Sequence, residues 1–178
     1  MKNKNIQKLV MSALFCALIC VATASFPIPL GGGGYANLGD TLIAVCAFFV
    51  GPLWGFLAAG VGSALADLFL GYGVYAPATF IIKGLMALVY ILIFRGFAKT
   101  KAAIPMALVA AIAAEALMVF GYFAFECILY TPAGAIPNVA GNLIQAAVGV
   151  GCSTVLVSLI SHNKYLMKHS STNLGLVL

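Results

Sequence analysis

Residues 38–70 read LGDTLIAVCAFFVGPLWGFLAAGVGSALADLFL, two apolar segments that are joined at Gly51-Pro52. Asp40 near the beginning and Asp67 near the end are the only charged residues in this stretch. An apolar helix of about 20 residues can cross a bilayer, and Gly-Pro is typical of the boundary between two helices. The stretch therefore predicts two consecutive membrane helices that fold back on each other, so that the two acids lie near the same membrane face.

The composition of the whole chain also indicates a membrane protein. Of its 178 residues, 63% are hydrophobic and 7% are charged, and the mean hydropathy is +1.12. Such a composition lies far outside soluble averages, and apolar runs of this length satisfy their backbone in lipid as helices. We therefore predict an all-α membrane protein. The formal charge of +5 does not indicate nucleic-acid binding, because the basic residues cluster at helix ends.

Glycines, prolines and charged residues divide the chain into six apolar segments. The length suits one domain, which we predict as a six-helix membrane bundle at 1–161, followed by a cytoplasmic tail at 162–178. Connecting loops are predicted at 27–36, which contains four consecutive glycines, at 71–77 and at 131–137. The predicted spans are 7–26, 38–50, 53–70, 78–97, 104–130 and 138–160.

The basic residues predict the orientation of the bundle. They occur before the first span, between the fourth and the fifth, and after the sixth. In a six-helix chain these places are on one side of the membrane, which the positive-inside rule assigns to the cytoplasm. The connections on the other side contain no Lys or Arg, so both termini are predicted to be cytoplasmic. The residues that carry this argument are Lys2, Lys4, Lys8, Arg95, Lys99, Lys101, Lys164 and Lys168.

Polar side chains within the apolar segments collect in the outer half of the predicted bundle. A buried ionisable group is expensive in a membrane and therefore indicates a functional site. At a rise of about 1.5 Å per residue, side chains from several spans reach one depth, beneath loops that contain tyrosines, and the amides of the sixth span share one helical face. This pattern predicts an outward-opening pocket for a flat polar ligand. Its predicted residues are Asn37, Asp40, Asp67, Tyr72, Tyr75, Lys83, Glu126, Asn138, Asn142 and Gln145.

All of these residues except Asn37 also have a structural interpretation. Asp40 could cap the second helix, and Asp67 with Lys83 could form an ion pair between neighbouring helices. Glu126 could be solvated at the interface, the tyrosines could belong to an interfacial aromatic belt, and the amides of the sixth span could hold helices together. Their convergence at one depth favours the pocket.

Glu115 lies deeper in the predicted bundle, near the middle of the membrane. It precedes Glu126 by eleven residues, which is about three helical turns, so the two acids point the same way. Glu115 is therefore either the floor of the pocket or a structural partner of another group, and we do not include it in the predicted site.

Small residues form a stripe along the first span at Ala13, Ala17, Cys20 and Ala24. Such a face lets another helix approach closely. Internal packing and a partner subunit explain this stripe equally well when the residues are considered alone.

The sequence contains no pattern that indicates catalysis, a metal site or a cofactor. Its five cysteines include no CxxC pair, and its two histidines, His162 and His169, lie in the predicted tail. The nucleotide-binding pattern GxxxxGK[ST] does not occur. We therefore predict that the chain is not an enzyme and that it uses no metal or cofactor.

Four segments and the small-residue motif formed by Ala13 and Ala17 carry a resemblance to a known family. The segments are Asn37-Leu38-Gly39-Asp40, Gly51-Pro52-Leu53-Trp54-Gly55, Ser63-Ala64-Leu65-Ala66-Asp67 and Pro137-Asn138-Val139-Ala140-Gly141-Asn142-Leu143-Ile144-Gln145. The chain resembles the substrate-binding S components of energy-coupling factor (ECF) vitamin transporters, in the branch for riboflavin, hydroxymethylpyrimidine and pyridoxine. The resemblance extends over about residues 7–160.

The resemblance implies a transport subunit of the bacterial plasma membrane. An S component binds a vitamin and docks through its first-span alanines, here Ala13 and Ala17, onto a membrane T component that carries two ATP-hydrolysing subunits. It then topples in the bilayer and presents its pocket to the cytoplasm. The short chain and the charges of Lys83, Asp67 and Glu126 favour pyridoxine or hydroxymethylpyrimidine as the vitamin, with riboflavin next.

The main alternative is a small proton- or ion-coupled secondary carrier in which Glu115 titrates. Such carriers usually contain repeated halves and broken helices, and the sequence shows neither. An intramembrane enzyme is a further alternative, but the spans contain no nucleophile with a base and no metal triad.

Overall fold

The computed structural model describes residues 2–29, 34–96 and 103–163. Within these residues the chain forms six α-helices and one two-stranded antiparallel β-hairpin. The helices are α1 (Lys2–Ser25), α2 (Gly39–Val50), α3 (Pro52–Phe69), α4 (Ala76–Gly96), α5 (Ala103–Leu129) and α6 (Pro132–His162), and the strands are β1 (Ile28–Pro29) and β2 (Tyr35–Ala36).

Five of these helices have the length and apolar composition of membrane spans. The sixth, α2, has 12 residues and is about 18 Å long, whereas the hydrocarbon core of a bilayer is about 30 Å thick. The all-α membrane fold and the six predicted helical segments are thus confirmed. That all six cross the membrane, with both termini in the cytoplasm, stays a prediction.

The short helix α2 lies inside the bundle, against α1, α3, α4 and α6. Its residues Ile43, Ala44, Cys46 and Ala47 are fully buried. Because α2 contacts several helices at once, a polar side chain on its first turn can reach side chains of α4 and α6. Asp40 occupies that turn.

The predicted break at Gly51-Pro52 is confirmed. Gly51 has φ +94° and ψ 176°, a conformation that is essentially restricted to glycine. Pro52 begins α3, where a proline loses no helical hydrogen bond because the first backbone N–H groups have no partner in the helix. The chain therefore turns sharply from α2 into α3.

The predicted turn at 131–137 is wrong, because α6 begins at Pro132. Thr131 caps the helix, and its hydroxyl accepts the backbone N–H of Gly134 at 3.2 Å. Pro132 lies in the first turn, where proline is favourable, and α6 also includes Pro137. The amides of the sixth span therefore begin about two turns inside the helix.

The other two predicted outer loops contain regular structure that was not expected. In the described part of 27–36, Ile28 pairs with Ala36 and Pro29 pairs with Tyr35. At 71–77 the irregular segment is shorter, because α4 already begins at Ala76.

Part of the sequence-based prediction falls outside the described residues. This applies to three of the four loop glycines (31–33), to four of the basic residues behind the predicted orientation, and to most of the tail at 162–178. The basic residues are Lys99, Lys101, Lys164 and Lys168.

The half of the bundle away from Asp40 is mainly apolar and closely packed. Phe48 of α2 contacts Phe94 of α4 edge to face, with ring centroids 5.7 Å apart. Close packing continues beside the polar end, where α1 and α3 approach so closely that a Cβ at Gly62 would lie 2.5 Å from the backbone oxygen of Cys16. Most buried polar side chains lie at the opposite end of the bundle, near Asp40 and the β-hairpin.

Candidate functional site

Three helices meet at a buried ion pair. The ammonium of Lys83 in α4 contacts Oδ1 of Asp40 in α2, and each side chain is 1% exposed. The side-chain amide of Gln145 in α6 donates to the second oxygen of Asp40, and the Gln145 oxygen accepts the backbone N–H of Asn37 at 3.0 Å. Both oxygens of Asp40 therefore have partners, and the charge of Lys83 is neutralised by a direct contact.

The structure does not support two of the structural interpretations. Leu38 is the N-cap residue of α2, the oxygens of Asp40 accept from Lys83 and Gln145, and the side chain of Asn37 accepts the backbone N–H of Gly39 at 2.9 Å. The ion pair considered for Asp67 with Lys83 is formed by Asp40 instead.

Asp67 of α3 is bonded to the β-hairpin. The Tyr35 hydroxyl donates to Oδ1 of Asp67 at 2.5 Å. Burial, and next the neighbouring Asp67 carboxylate, raise the pKa of Tyr35 above its ordinary value, so the hydroxyl keeps its proton and acts as donor. The Tyr35 ring is 4.7 Å from that of Tyr72, whose ring is 6.4 Å from that of Tyr75. A row of tyrosines thus joins the hairpin to the α3–α4 loop.

A carboxylate and an amide connect α5 with α6. The Asn138 amide nitrogen donates to Oε1 of Glu126 at 2.7 Å, and the Tyr75 hydroxyl donates to the same oxygen at 3.3 Å. Glu126 is 2% exposed, so it is buried and not solvated at an interface. Two predicted site residues, Tyr75 and Asn138, therefore donate hydrogen bonds to the same oxygen of Glu126.

A cavity of about 20 Å³ lies between these groups, enough for about one water molecule. Its walls come from α1, α3, α4, α5, α6, the β-hairpin and the segments next to α2 and α4. The lining residues are Thr23, Gly34, Tyr35, Asn37, Ser63, Asp67, Tyr75, Thr79, Lys83, Tyr122, Glu126, Asn142 and Gln145.

The structure brings the predicted site residues together around this cavity. Asp40, Tyr72 and Asn138 do not line it, but each contacts a side chain that does. Their participation in ligand binding, like that of the lining residues, stays a prediction. The predicted residues that line the cavity are Asn37, Asp67, Tyr75, Lys83, Glu126, Asn142 and Gln145.

Sequence reasoning missed the hydroxyl groups of the cavity, although three of them have a recognisable spacing. Each stands four residues before a predicted charged site residue, and therefore on the same helical face. The pairs are Ser63 with Asp67, Thr79 with Lys83, and Tyr122 with Glu126. Thr23, Gly34 and Tyr35 were also missed, and no comparable spacing marks them.

Four buried polar atoms of the cavity residues have no hydrogen-bond partner within the described part of the chain. They are Oγ1 of Thr23, Oγ of Ser63, Oδ2 of Asp67 and Oε2 of Glu126. An unpaired buried polar group costs about 1–3 kcal/mol, and buried polar groups in proteins are seldom left unpaired. Several such atoms at one cavity provide hydrogen-bonding capacity that the described residues do not use.

Glu115 does not line this cavity. It is 1% exposed, and neither carboxylate oxygen has a hydrogen-bond partner among the residues that the structure describes. It lies against Gly149 of α6, where a Cβ would overlap its carboxylate. Neither of the two roles predicted for Glu115 is observed, and both stay open.

The two alanines of the predicted partner face lie on the outside of α1. Ala13 and Ala17 are exposed, whereas Ser12, Phe15 and Ile19 of the same helix are buried in the bundle. Packing within the described chain therefore does not explain the two alanines.

Known proteins resemble this chain over most of its length. The sequence profile of the family described as ECF-type riboflavin transporter, S component, matches residues 3–162. The thiamine precursor transporter HmpT of Lactococcus lactis subsp. cremoris (strain MG1363) is 29% identical over 168 residues, which are 93% of this chain and 95% of that protein. An uncharacterized protein of Pyrococcus woesei is 35% identical over 133 residues, which are 74% of this chain and 86% of that protein. As the sequence resemblance predicted, the chain belongs to the S components of the ECF-type riboflavin transporter family, multi-pass membrane subunits that transport and are not enzymes.

Proposed function

We propose that this chain is the vitamin-binding subunit of an ATP-driven uptake transporter in the bacterial plasma membrane. Its substrate is a small heteroaromatic B vitamin or vitamin precursor, with hydroxymethylpyrimidine or pyridoxine ahead of riboflavin. One observation carries the proposal, namely the four unpaired buried polar atoms that belong to the walls of one cavity.

A flat polar ligand fits the chemistry of these walls. The unpaired atoms of Thr23, Ser63, Asp67 and Glu126 offer hydrogen bonds from several directions. Aromatic rings that line the same cavity offer faces and edges for a heteroaromatic ring. These rings belong to Tyr35, Tyr75 and Tyr122.

Ligand binding requires a change of shape. Pockets for small molecules usually hold about 300 Å³ or more, whereas this cavity holds about 20 Å³. Displacement of the β-hairpin would separate Tyr35 from Asp67, which enlarges the cavity and exposes a further acceptor oxygen.

The relatives support the same choice of substrates. The Lactococcus lactis protein is a thiamine precursor transporter and aligns with 93% of this chain, which supports a pyrimidine such as hydroxymethylpyrimidine. The family description supports riboflavin as the next candidate. For the partners, the family implies a membrane T component with two ATPase subunits, and the exposed Ala13 and Ala17 supply a face for it within the lipid bilayer.

Binding and uptake measurements test this proposal. The chain, purified alone in detergent, should bind at least one of hydroxymethylpyrimidine, pyridoxine and riboflavin in isothermal titration calorimetry. Proteoliposomes should accumulate that vitamin only when the T component, both ATPase subunits and ATP are also present. Uptake by this chain alone, driven by a proton gradient, would overturn the proposal in favour of the secondary carrier.

The double substitution Ala13→Trp with Ala17→Trp should abolish complex formation and uptake while the affinity for the vitamin stays unchanged. Two indole rings would prevent the close helix approach that small residues allow, and both positions are exposed, whereas the cavity residue of the same helix, Thr23, is buried. Co-purification with a tagged T component measures complex formation.

The matched control for this prediction is Leu159→Trp on α6, where the native side chain is 65% exposed. It adds an indole to another exposed surface and should leave complex formation intact. Loss of vitamin binding in the double variant, with the complex preserved, would contradict the assignment of this face to the partner.

A further inference from the structure

Among the described residues, the cavity wall contains two carboxylates that have no cation beside them and one lysine that is already paired with an acid. Lys83 is the only Lys, Arg or His among the described residues that line the cavity, and its ammonium is bound to Asp40. Asp40 itself has both oxygens occupied. The remaining ionisable acids in the wall are Asp67 and Glu126. The described wall that a ligand meets therefore offers two carboxyl groups as acceptors and has no positive charge without a counter-ion.

Each of these two acids presents one occupied and one unoccupied oxygen. Oδ1 of Asp67 accepts from Tyr35 at 2.5 Å, and Oε1 of Glu126 accepts from Asn138 at 2.7 Å. The protein's own donors hold the two side chains in place, while Oδ2 and Oε2 have no partner in the described residues. A deprotonated carboxylate oxygen accepts hydrogen bonds and donates none, so these two oxygens match donor groups on a ligand.

We propose that the site selects ligands that carry hydrogen-bond donors toward Asp67 and Glu126, such as amino, hydroxyl or protonated ring-nitrogen groups, and that it rejects phosphorylated forms of the same vitamin. The inference rests on the proposed function and specifies its substrate class. A phosphate adds a charge of about −1.5 to −2 and only acceptor oxygens. In this cavity it would meet the acceptor oxygens of two acidic side chains and, among the described residues, no cation without a counter-ion, and like-charge contacts in a desolvated site are strongly unfavourable.

Matched pairs of ligands test the inference on the wild-type chain. Isothermal titration calorimetry would compare hydroxymethylpyrimidine, pyridoxine and riboflavin, each with its own monophosphate. We expect every free form that binds to do so at least about 100-fold more tightly than its phosphate. Binding of the two forms within about threefold of each other would overturn the inference while leaving the proposed function intact. If none of the six compounds binds, the proposed function fails and the inference fails with it.

Two substitutions test which side chains cause the selection. Asp67→Asn and Glu126→Gln preserve size but replace a charged acceptor by an amide, and hydrogen bonds to a charged group are about twice as strong as neutral ones. We expect each variant to bind the free form about tenfold or more weakly and to show a smaller difference between the free form and its phosphate. Ser25→Ala is the control, because Ser25 is exposed at the end of α1 and bonds to the backbone of Val21. Both variants binding like this control would overturn the inference.

Discussion

Replacing Lys83 by methionine should lower the free energy of unfolding by about 3–5 kcal/mol and remove vitamin binding with it. Methionine keeps most of the length of the side chain but leaves the Asp40 carboxylate buried without its cation. Asp40 is 1% exposed, and the remaining hydrogen bond from the neutral amide of Gln145 cannot neutralise a charge. Thermal unfolding of the purified variant in detergent, read by circular dichroism, measures the loss.

Two further variants separate the charge of Lys83 from its packing. Leu85→Met, on the same helix and 38% exposed in the native chain, should unfold like the wild type. Adding Asp40→Asn to Lys83→Met removes the stranded charge and keeps an acceptor oxygen for Gln145, so most of the lost stability should return. A double variant as unstable as Lys83→Met alone would show that the lysine acts through packing.

The sequence does not predict which acid forms the ion pair with Lys83. Lys83, Asp40 and Asp67 could all be identified as site residues, because a charge in an apolar run requires a compensating group. The choice between the two acids depends on which helices are neighbours, and α4 packs against both α2 and α3. Hydropathy predicts which segments are helical but not which helix faces which, so the pair could not be predicted.

Short-range features of the chain explain why the sequence-based prediction and the structure also differ at the β-hairpin, at the start of α6 and at the cavity hydroxyls. Tyr35 reaches the cavity from a strand of two residues, and a strand that short has no alternation that could be recognised in a sequence. The two prolines at 132 and 137 predicted a turn, whereas the first turn of a helix accepts proline readily. The hydroxyls that precede the charges by one turn could have been found, because that spacing follows from helical geometry alone.

Glu115 differs from Lys83, because its side chain makes no hydrogen bond within the described residues. Both of its oxygens lack a hydrogen bond within the described residues, although the side chain is 1% exposed. A buried polar group without a partner costs about 1–3 kcal/mol, and more when it is charged. If no ligand or partner subunit uses Glu115, its removal should stabilise the protein.

We therefore expect Glu115→Met to raise the free energy of unfolding by at least about 1–3 kcal/mol and to leave the affinity for the vitamin unchanged. The melting temperature in detergent and isothermal titration calorimetry measure the two effects on the same sample. A loss of affinity with unchanged stability would contradict this expectation and would make Glu115 the floor of the pocket. A loss of stability would instead indicate a structural partner.

The contact between Glu115 and Gly149 provides an independent check. A Cβ at Gly149 would overlap the Glu115 carboxylate, so Gly149→Ala should lower the melting temperature of the wild type. The same substitution should be harmless in a Glu115→Ala background, where the carboxylate is gone and the new methyl group fills part of the space. Gly151→Ala is the control on the same helix, because a Cβ there meets no atom within 4 Å. If Gly149→Ala destabilises both backgrounds equally, the overlap with the Glu115 carboxylate is not the cause of the destabilisation. The carboxylate then moves away from α6 at little cost, and the stabilisation expected for Glu115→Met loses its structural basis.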